Sequence, residues 1–201
     1  MSHYYTQNPT TEHDVKLIEA TLRGRLLRFY TDSGVFSKAS VDYGSELLIE
    51  TMTIPAGASV LDMGCGWGPI GISAALESPT GHVLMADVNT RAIELANRNI
   101  ELNGVDNATV VQSDVFANLN NRTFDVILTN PPIRAGKSVV HSIFRGAADH
   151  LQSGGSLWVV IQKKQGAPSA EKALKELFAQ VHIRERSKGY YVFEAVLGGN
   201  R

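Results

Sequence analysis

Short apolar runs recur along the chain from about Ala58 onward, and amphipathic stretches separate them. The runs read ASVLDMG, HVLMADV, TVVQSD, FDVILTN and GSLWVVIQ. Near-continuous apolar runs of this length are typical of strands buried on both faces of a parallel sheet. Between two of them, TRAIELANRNIELNG places Ile93, Ala96 and Ile100 at helical spacing and ends on an Asn-Gly pair, which is a helix stop. The alternation predicts an open α/β sheet, mostly parallel, with helices on both faces.

The two ends of the chain depart from this alternation. Near the C-terminus, AQVHIRER and YYVFEAVL are joined by the short SKG, which predicts a hairpin and an antiparallel last strand. Near the N-terminus, GRLLRFYTDSGVFSK predicts a small hairpin that turns at Asp32-Ser33-Gly34, followed by a helix from about Gly44 to Thr53. Residues 1–54 are too few to hold a core of their own, so we expect an N-terminal appendage on a domain formed by residues 55–201.

The length and composition of the chain indicate how many domains it forms, but they do not identify a binding partner. A chain of 201 residues, 43% hydrophobic and 19% charged, fits a single globular domain. Cys65 is the only cysteine, and no Cys/His cluster has the spacing of a zinc site, so we expect neither a disulfide nor a metal. No membrane-spanning run or secretory signal is evident, which favours a cytoplasmic protein. The formal net charge of −1 means that any nucleic-acid binding would depend on local basic patches.

Acidic and glycine residues follow the predicted strands, at the edge where open α/β sheets bind ligands. Gly66, Gly68 and Gly71 satisfy the pattern G-x-G-x-x-G, which by itself is weak evidence for a dinucleotide. Asp62 ends the strand before this loop, and a carboxylate about 4 Å from a pyrophosphate charge would repel it by roughly 1 to 4 kcal/mol. A ligand that lacks phosphate and carries an ammonium and a sulfonium, such as S-adenosylmethionine, therefore fits better.

The stretch TNPPIRAGK places an asparagine before two prolines, directly after the run FDVIL. Suppose that an exocyclic amine must attack the sulfonium methyl of such a ligand. This amine is a poor nucleophile, because its lone pair is delocalised into the ring. Two acceptors for its N–H groups would hold it during methyl transfer and offset the developing positive charge. The side-chain oxygen of Asn130 and the carbonyl of Pro131 are candidates, since Pro131 and Pro132 restrict the backbone that aims them.

Several of these motifs together resemble the class I S-adenosylmethionine-dependent methyltransferases over most of residues 55–200. They are VLDMGCGWGPIG, the acids of ADVN and QSDVF, and NPPI. The resemblance implies a Rossmann-like fold with a seven-stranded sheet. It also implies that the glycine loop contacts the methionine part, that the first acid bridges the ribose hydroxyls, and that the second acid and the backbone after it address the adenine. The implied cofactor-binding residues are Asp62, Gly64, Gly66, Asp87, Asp114, Val115 and Asn130.

A closer resemblance extends over nearly the full chain. NPPIRAGK, TDSGVFS and VDYGSELL are most similar to the small-methyltransferase group that includes the ribosomal RNA guanine-N2 (RsmC-like) enzymes, which are longer by an additional N-terminal half. The NPP pattern resembles that of enzymes acting on amino nitrogens of adenine, guanine or glutamine. Ile133 stands where many adenine-directed members carry an aromatic residue, so adenine in DNA is the poorer match.

An RNA substrate would require basic groups around the pocket. One candidate patch near the start of the chain contains Arg23, Arg25 and Arg28. A later set, which includes Arg145, follows the Asn-Pro-Pro turn and the next strand. Phe36 is expected to close over the cofactor, to stack on an extruded base, or to join the appendage to the core by hydrophobic packing. The predicted substrate-binding residues are Phe36, Ile133, Arg134, Lys137, Lys163 and Lys164.

The sequence leaves three functions open. The favoured one is transfer of a methyl group from S-adenosylmethionine to the exocyclic N2 of a guanine in ribosomal RNA. The second is an amino-methyltransferase for protein glutamine or a small metabolite. The third is a non-catalytic S-adenosylmethionine-binding partner in an assembly, which the intact Asn-Pro-Pro turn argues against. A nicotinamide reductase is a more distant alternative, disfavoured by Asp62.

Overall fold

The computed structural model describes residues 7–199. Its strands are β1 (Lys16–Leu22), β2 (Arg25–Thr31), β3 (Ser59–Met63), β4 (His82–Asp87), β5 (Ala108–Gln112), β6 (Phe124–Thr129), β7 (Leu151–Gln162), β8 (Gln180–Ser187) and β9 (Tyr190–Val196). Its helices are α1 (Tyr43–Thr51), α2 (Pro69–Glu77), α3 (Thr90–Leu102), α4 (Lys137–His150) and α5 (Ala167–Leu177), with short 3-10 turns at Ile133–Ala135 and Lys163–Gln165. No helix within the described range has the length and apolar character needed to cross a bilayer.

Seven strands form one sheet in the order β5-β4-β3-β6-β7-β9-β8. The five strands from β5 to β7 in that order are mutually parallel, and β9 runs antiparallel to both of its neighbours. The chain reverses direction in sheet order between β3 and β6, and the carboxyl ends of these strands open a crevice there. The predicted α/β class, the mostly parallel seven-stranded sheet and the antiparallel last strand are confirmed.

Successive residues of the central strands pack into different hydrophobic clusters on the two faces of the sheet. Val60 belongs to the cluster with α1, α2 and α3, whereas Leu61 belongs to the cluster with α4 and α5. Val126 and Ile127 on β6 divide in the same way. Because both faces are covered, most positions of these strands are apolar, which explains the near-continuous apolar runs in the sequence.

The N-terminal hairpin differs from the one predicted. Its strands are β1 and β2, paired from Lys16↔Thr31 to Leu22↔Arg25, so the turn lies at Arg23-Gly24 and not at Asp32-Ser33-Gly34. Arg23 and Gly24 have φ of 49° and 75°, and positive φ at both central residues suits a two-residue hairpin turn. The Arg23 guanidinium donates to the carbonyls of Ile49 and Met52 at the end of α1, which gives this non-glycine residue a reason to adopt the conformation.

Two asparagines one turn apart on α3 attach the hairpin to the sheet domain. Asn99 accepts from the Tyr30 backbone N–H at 2.6 Å and donates to the Tyr30 carbonyl at 3.0 Å. Asn103 makes the same pair of bonds with the Arg28 backbone. The other face of β2 buries Leu27 and Phe29 in the cluster that covers the sheet. The N-terminal segment therefore shares a core with the sheet domain.

Candidate active site

A cavity of about 300 Å³ lies at the carboxyl ends of β3, β4, β5 and β6. Six parts of the chain line it, and they meet only in the folded protein. They are residues 35–37, the start of α1, the glycine loop after β3, the ends of β4 and β5, and the turn after β6 with the first part of α4. The cavity is therefore the point at which the predicted cofactor and catalytic motifs come together.

Four glycines, in the loop after β3 and the first turn of α2, form two pairs with different structural roles. Gly64 and Gly66 line the cavity with φ of 73° and 56°, and a Cβ at either would meet no atom within 4 Å. Gly68 and Gly71 instead pack against Met85 on β4, where a Cβ would come within 2.7 Å and 2.6 Å of it. The first pair leaves space for a ligand against the backbone, and the second pair allows α2 to approach the sheet.

Asp62 does not reach the cavity, contrary to the sequence-based expectation. It is the penultimate residue of β3, is 0% exposed, and its Oδ2 accepts from the Gly71 N–H at 2.8 Å beneath the loop. Its Oδ1 is buried and has no hydrogen-bond partner within the described residues. Burial raises the pKa of Asp62 to about 7, with a smaller contribution from the nearby Asp87 charge. The argument that Asp62 repels a pyrophosphate in the loop therefore does not hold.

Asp87 ends β4 and does line the cavity. Its Oδ2 accepts from the Gly66 N–H at 2.8 Å, and its Oδ1 accepts from the Asn89 N–H at 2.9 Å. Burial raises the pKa of this carboxyl, and the two backbone donors act in the opposite direction. A single carboxylate therefore fixes the glycine loop and the start of α3 while it faces the cavity.

The loop after β5 is held by a serine. Ser113 donates to the Val115 carbonyl at 2.7 Å and accepts from the Asn118 N–H at 3.1 Å. These bonds accompany a left-handed conformation at Val115, whose φ is 49°. A β-branched residue at positive φ is strained, and such strain concentrates at functional sites. Asp114, which is exposed, and Val115 both line the cavity, and their assignment to the adenine end stays a prediction from the family resemblance.

The Asn-Pro-Pro turn leaves β6 and also lines the cavity. The Asn130 amide nitrogen donates to Asp42 Oδ2 at 2.7 Å and to Ser45 Oγ at 2.9 Å. The Pro132 carbonyl accepts from the Ala135 N–H at 2.9 Å, which begins the 3-10 turn. Within residues 7–199, no group donates to Asn130 Oδ1 or to the Pro131 carbonyl. Two hydrogen-bond acceptors of this turn are thus available to a ligand.

Residues 35–37 line one wall of the cavity, and two hydrogen bonds attach this segment to the loop after β3 and the start of α3. The Trp67 indole N–H donates to the Phe36 carbonyl at 2.8 Å, and the Asn89 side chain donates to the Gly34 carbonyl at 2.9 Å. Phe36 is 39% exposed and lines the cavity, and the neighbouring Ser37 has a positive φ of 55°. The N-terminal segment thereby contributes directly to the walls of the site.

The basic residues predicted to meet RNA lie beside the main cavity, not in it. Ile133 and Lys137 line a second cavity, of about 140 Å³, with Gln165 and Gly166. That cavity connects the start of α4 to the 3-10 turn that contains Lys163 and Lys164. Arg134, Lys137, Lys163 and Lys164 are all exposed.

The N-terminal arginines are engaged in holding the fold together. Arg23 and Arg25 both pair with Glu77 on α2, and Arg23 also contacts the end of α1. These contacts give two members of the early basic patch a structural role. The later set, beside the Asn-Pro-Pro turn, is the stronger candidate for an RNA contact.

Several site residues were not singled out by the sequence reasoning. Asp42, Ser45, Trp67 and Asn89 all line the cavity and make the hydrogen bonds described above. Asp42 and Ser45 fall in VDYGSELL, which the sequence indicated only as part of a resemblance. The available signal was an N-cap, because an Asp followed by a helical stretch is typical of a helix start.

The cavity fits S-adenosylmethionine by its chemistry. The side-chain-free loop at Gly64 and Gly66 gives room for the methionine part, and Asp87 offers carboxylate acceptors for a vicinal diol. Cys65 is buried, and burial raises the pKa of its thiol well above the usual range, so a reactive thiolate there is disfavoured.

Comparison with known proteins identifies the family. The family model described as "Methyltransferase small domain" matches residues 26–194. The protein YbxB of Bacillus subtilis, described as uncharacterized, is 50% identical over 195 residues, which is 96% of this chain and 97% of that protein. Ribosomal RNA small subunit methyltransferase C of Salmonella choleraesuis is 33% identical over 175 residues, 85% of this chain and 50% of that protein.

A solved structure extends the similarity to the fold. The 16S rRNA N2 G1207 methyltransferase (RsmC) of T. thermophilus, in complex with AdoMet and guanosine, superposes with a TM-score of 0.83 at 26% identity. The match covers 94% of this chain and 52% of that one, so the chain spans about half the length of the ribosomal RNA methyltransferases it matches. The resemblance inferred from the motifs is confirmed. The chain belongs to the methyltransferase small domain family of S-adenosylmethionine-dependent methyltransferases.

Proposed function

We propose that this protein transfers a methyl group from S-adenosylmethionine to the exocyclic N2 of a guanine in ribosomal RNA. The observation that carries the proposal is the pair of acceptors in the cavity wall, Asn130 Oδ1 and the Pro131 carbonyl. An amino group presents two N–H donors, and a site with two fixed acceptors matches it. A hydroxyl group could satisfy only one of them.

The cofactor half of the reaction rests on residues that fix S-adenosylmethionine in place. When bound, this cofactor supplies an electrophilic methyl group on a sulfonium. Gly64 and Gly66 would allow it to lie against the loop backbone, and Asp87 would accept from the ribose hydroxyls. Asp114 and the Val115 backbone would bind the adenine end. Holding the methyl donor in a fixed geometry removes part of the entropic cost of transfer.

The substrate half rests on the Asn-Pro-Pro turn. As the amino nitrogen pyramidalises, its two N–H bonds become more acidic, and the acceptors at Asn130 and Pro131 strengthen their hold on them. Interactions that strengthen in the transition state raise the rate of the chemical step, whereas uniform binding does not. The rigid prolines keep both oxygens in position without reorganisation.

Three observations favour guanine in ribosomal RNA over other amino substrates. The relatives at 33% identity are named ribosomal RNA small subunit methyltransferase C, and the superposing structure was solved with guanosine. Arg134, Lys137, Lys163 and Lys164 are exposed, and they follow the Asn-Pro-Pro turn and the neighbouring strand β7, beside the second cavity. Basic residues near a pocket suit a phosphate backbone, and we refer to these four as the basic rim. The turn also lacks an aromatic residue at position 133.

The proposal is tested with the purified chain, labelled S-adenosylmethionine and three substrates offered separately: naked ribosomal RNA, ribosomal subunits and a protein extract. The RNA should come from a strain in which the corresponding gene is deleted. We expect one N2-methylguanosine per RNA, identified by mass spectrometry of digested nucleosides, and no product with Asn130→Ala at matched times. Label in glutamine of the extract, or in a different nucleoside, would contradict the guanine assignment. No label in any substrate would favour a non-catalytic role.

A further inference from the structure

Asp42, Ser45 and Asn130 form a closed triangle of hydrogen bonds at the wall of the cavity. Asp42 Oδ2 accepts from the Asn130 amide at 2.7 Å and from the Ser45 hydroxyl at 3.3 Å, and Ser45 Oγ accepts from the Asn130 amide at 2.9 Å. Ser45 is only 5% exposed, and Asp42 is half-buried. Asp42 and Ser45 belong to the segment before the sheet domain, 88 and 85 residues before Asn130.

The triangle allows only one orientation of the Asn130 amide. A carboxylate has no proton to donate, so the end of the amide that faces Asp42 must be its NH2 group. Both amide protons are then used, one on Asp42 and one on Ser45. The Ser45 proton is directed to Asp42, which leaves the Ser45 oxygen free to accept. A flipped amide would bring its oxygen against the Asp42 carboxylate and lose that bond, and Ser45 could donate to the amide oxygen only by giving up its own bond to Asp42. The contacts therefore fix the orientation, although an asparagine side chain otherwise flips readily about its last torsion.

We infer that Asp42 and Ser45 are positioning residues that hold the Asn130 side chain with its oxygen toward the amino group to be methylated. The inference rests on the proposed transfer to an amino nitrogen. With the NH2 end occupied, Oδ1 is the polar atom of Asn130 that remains for a ligand. Hydrogen bonds that run in series polarise one another, so the Asp42 charge also makes Oδ1 a stronger acceptor.

The arrangement has two consequences for the reaction. A site that presents only oxygens accepts an N–H donor and rejects a carbonyl at the same place, so the triangle selects an amino edge of a base. Asp42 is also the N-cap of α1, where its Oδ2 accepts from the Ser45 N–H at 3.0 Å. The start of α1 and the orientation of the catalytic turn are therefore set by one carboxylate oxygen.

The first experiment reads the amide directly and does not depend on activity. In ¹⁵N-labelled protein, the Asn130 side-chain NH2 signals are identified by their loss in Asn130→Ala. We expect slow exchange of both protons with water in the wild type. Asp42→Ser and Ser45→Ala should each speed the exchange by about ten-fold or more, since each removes a hydrogen bond. Exchange that is already fast in the wild type, or that neither substitution changes, would overturn the inference.

The second experiment separates positioning from helix capping. Asp42→Ser retains a good N-cap but is shorter, and Asp42→Asn retains the length and an acceptor oxygen. We expect Asp42→Ser to lower the single-turnover rate by about ten-fold or more at unchanged S-adenosylmethionine affinity, with part of the rate recovered in Asp42→Asn. Leu47→Ala, on the same helix and packed against the core, is the matched control: it should lower the melting temperature and leave the rate unchanged.

The decisive comparison is a double-mutant cycle. If Asp42 acts through Asn130, then Asp42→Ser in the Asn130→Ala background should cost no more than about two-fold further. Fully additive losses would show that Asp42 acts elsewhere and would overturn the inference, as would a rate that follows the melting temperature across all variants. A wild-type protein that methylates no RNA would refute the proposed function instead, and the amide exchange would still decide whether Asp42 and Ser45 hold Asn130.

Discussion

The two halves of the cavity are built in different ways. The proposed cofactor half consists of the glycine loop at residues 64–66, Asp87 and the loop at residues 113–115, each of which lies at the end of a strand or directly after one. The substrate half combines the turn at residues 130–132 with Phe36, Asp42 and Ser45 from the segment before the sheet domain. In the first, each element is positioned by the strand that precedes it. In the second, the turn is completed by partners more than 80 residues away.

This difference predicts that the substrate half determines which substrate the protein accepts. The cofactor half relies on backbone groups, on the absence of side chains at Gly64 and Gly66, and on one carboxylate that ties neighbouring loops together. Such a construction tolerates variation around it. The substrate half relies on side chains from a separate segment, so we expect a change at Asp42 or Ser45, which contact Asn130, to affect the substrate more than the cofactor. The comparison predicts that substitutions in the two halves will affect different measured quantities.

The largest expected effect is that of Asn130→Ala. In the proposed reaction, the Asn130 oxygen acts mainly as charge develops on the target nitrogen, so we expect its loss to lower kcat far more than it alters cofactor affinity. Removal of one preorganised hydrogen-bonding group from an oxyanion hole costs about 10² to 10³ in kcat, and we apply that range to an acceptor facing a developing cation. Single-turnover rates and calorimetry with S-adenosylmethionine measure the two quantities separately.

Asn130→Asp is the companion variant. It keeps an acceptor toward the substrate but replaces the NH2 group, 2.7 Å from Asp42 Oδ2, with a second oxygen. Two carboxylates at that distance repel each other, so we expect activity no higher than that of Asn130→Ala at neutral pH. A folded Asn130→Ala variant with a rate near that of the wild type would refute the role of the turn.

Most of the residues predicted to bind the cofactor do lie at the cavity, because their position at the ends of strands is a local property of the sequence. A buried strand that ends in a glycine or an acid places that residue at the binding edge of the sheet, and runs such as FDVILTN mark where the edge lies. The Asn-Pro-Pro turn was predicted for the same reason. Gly64, Gly66, Asp87, Asp114 and Val115 accordingly line the cavity.

The errors came from packing and long-range contacts. Asp62 was expected beside the ligand, but the close approach of Gly71 draws its carboxylate beneath the loop, where a Cβ on Gly71 would lie 2.9 Å from it. The hairpin turn was misplaced because Arg23 adopts a left-handed conformation that its contacts with α1 support. The local sequence could indicate Asp42 as a helix N-cap, but it could not indicate the contact with Asn130, 88 residues away.

A smaller effect is expected when the cofactor half is altered at Asp87. Asp87→Asn should weaken S-adenosylmethionine binding by about ten-fold or more, because hydrogen bonds to a charged group are lost and the amide NH2 opposes a backbone N–H. The single-turnover rate of Asp87→Asn at saturating cofactor should differ little from that of the wild type. Calorimetry that gives the wild-type affinity would remove Asp87 from the site.

The same residue predicts a pH dependence. Burial raises the pKa of Asp87, so its acceptor form is lost at a higher pH than for an ordinary aspartate, and cofactor affinity should fall as pH decreases through that range. Asp62, whose pKa is raised to about 7, titrates nearby and is retained in Asp87→Asn. Because the Asp87 charge also raises the pKa of Asp62, the difference between the two affinity profiles reports the Asp87 carboxylate together with its effect on Asp62. Parallel profiles would contradict the assignment.

The smallest effect concerns the basic rim beside the substrate half. Lys163 and Lys164 are exposed on the 3-10 turn after β7, next to the second cavity. If both contact phosphates, the variant with alanine at both positions should bind ribosomal RNA more weakly, and the slope of log affinity against log salt should become shallower by about one to two units. Cofactor affinity should not change, since neither lysine lines the main cavity.

A matched control is available on α5. Lys172 and Lys175 are also exposed, and replacing both with alanine removes the same total charge from a different part of the surface. Long-range attraction by net charge would weaken RNA binding equally in the two double variants, whereas direct phosphate contacts would change the salt slope only for Lys163 and Lys164. Equal slopes in both variants would show that these two lysines are ordinary surface charges and that the substrate half ends at the cavity wall.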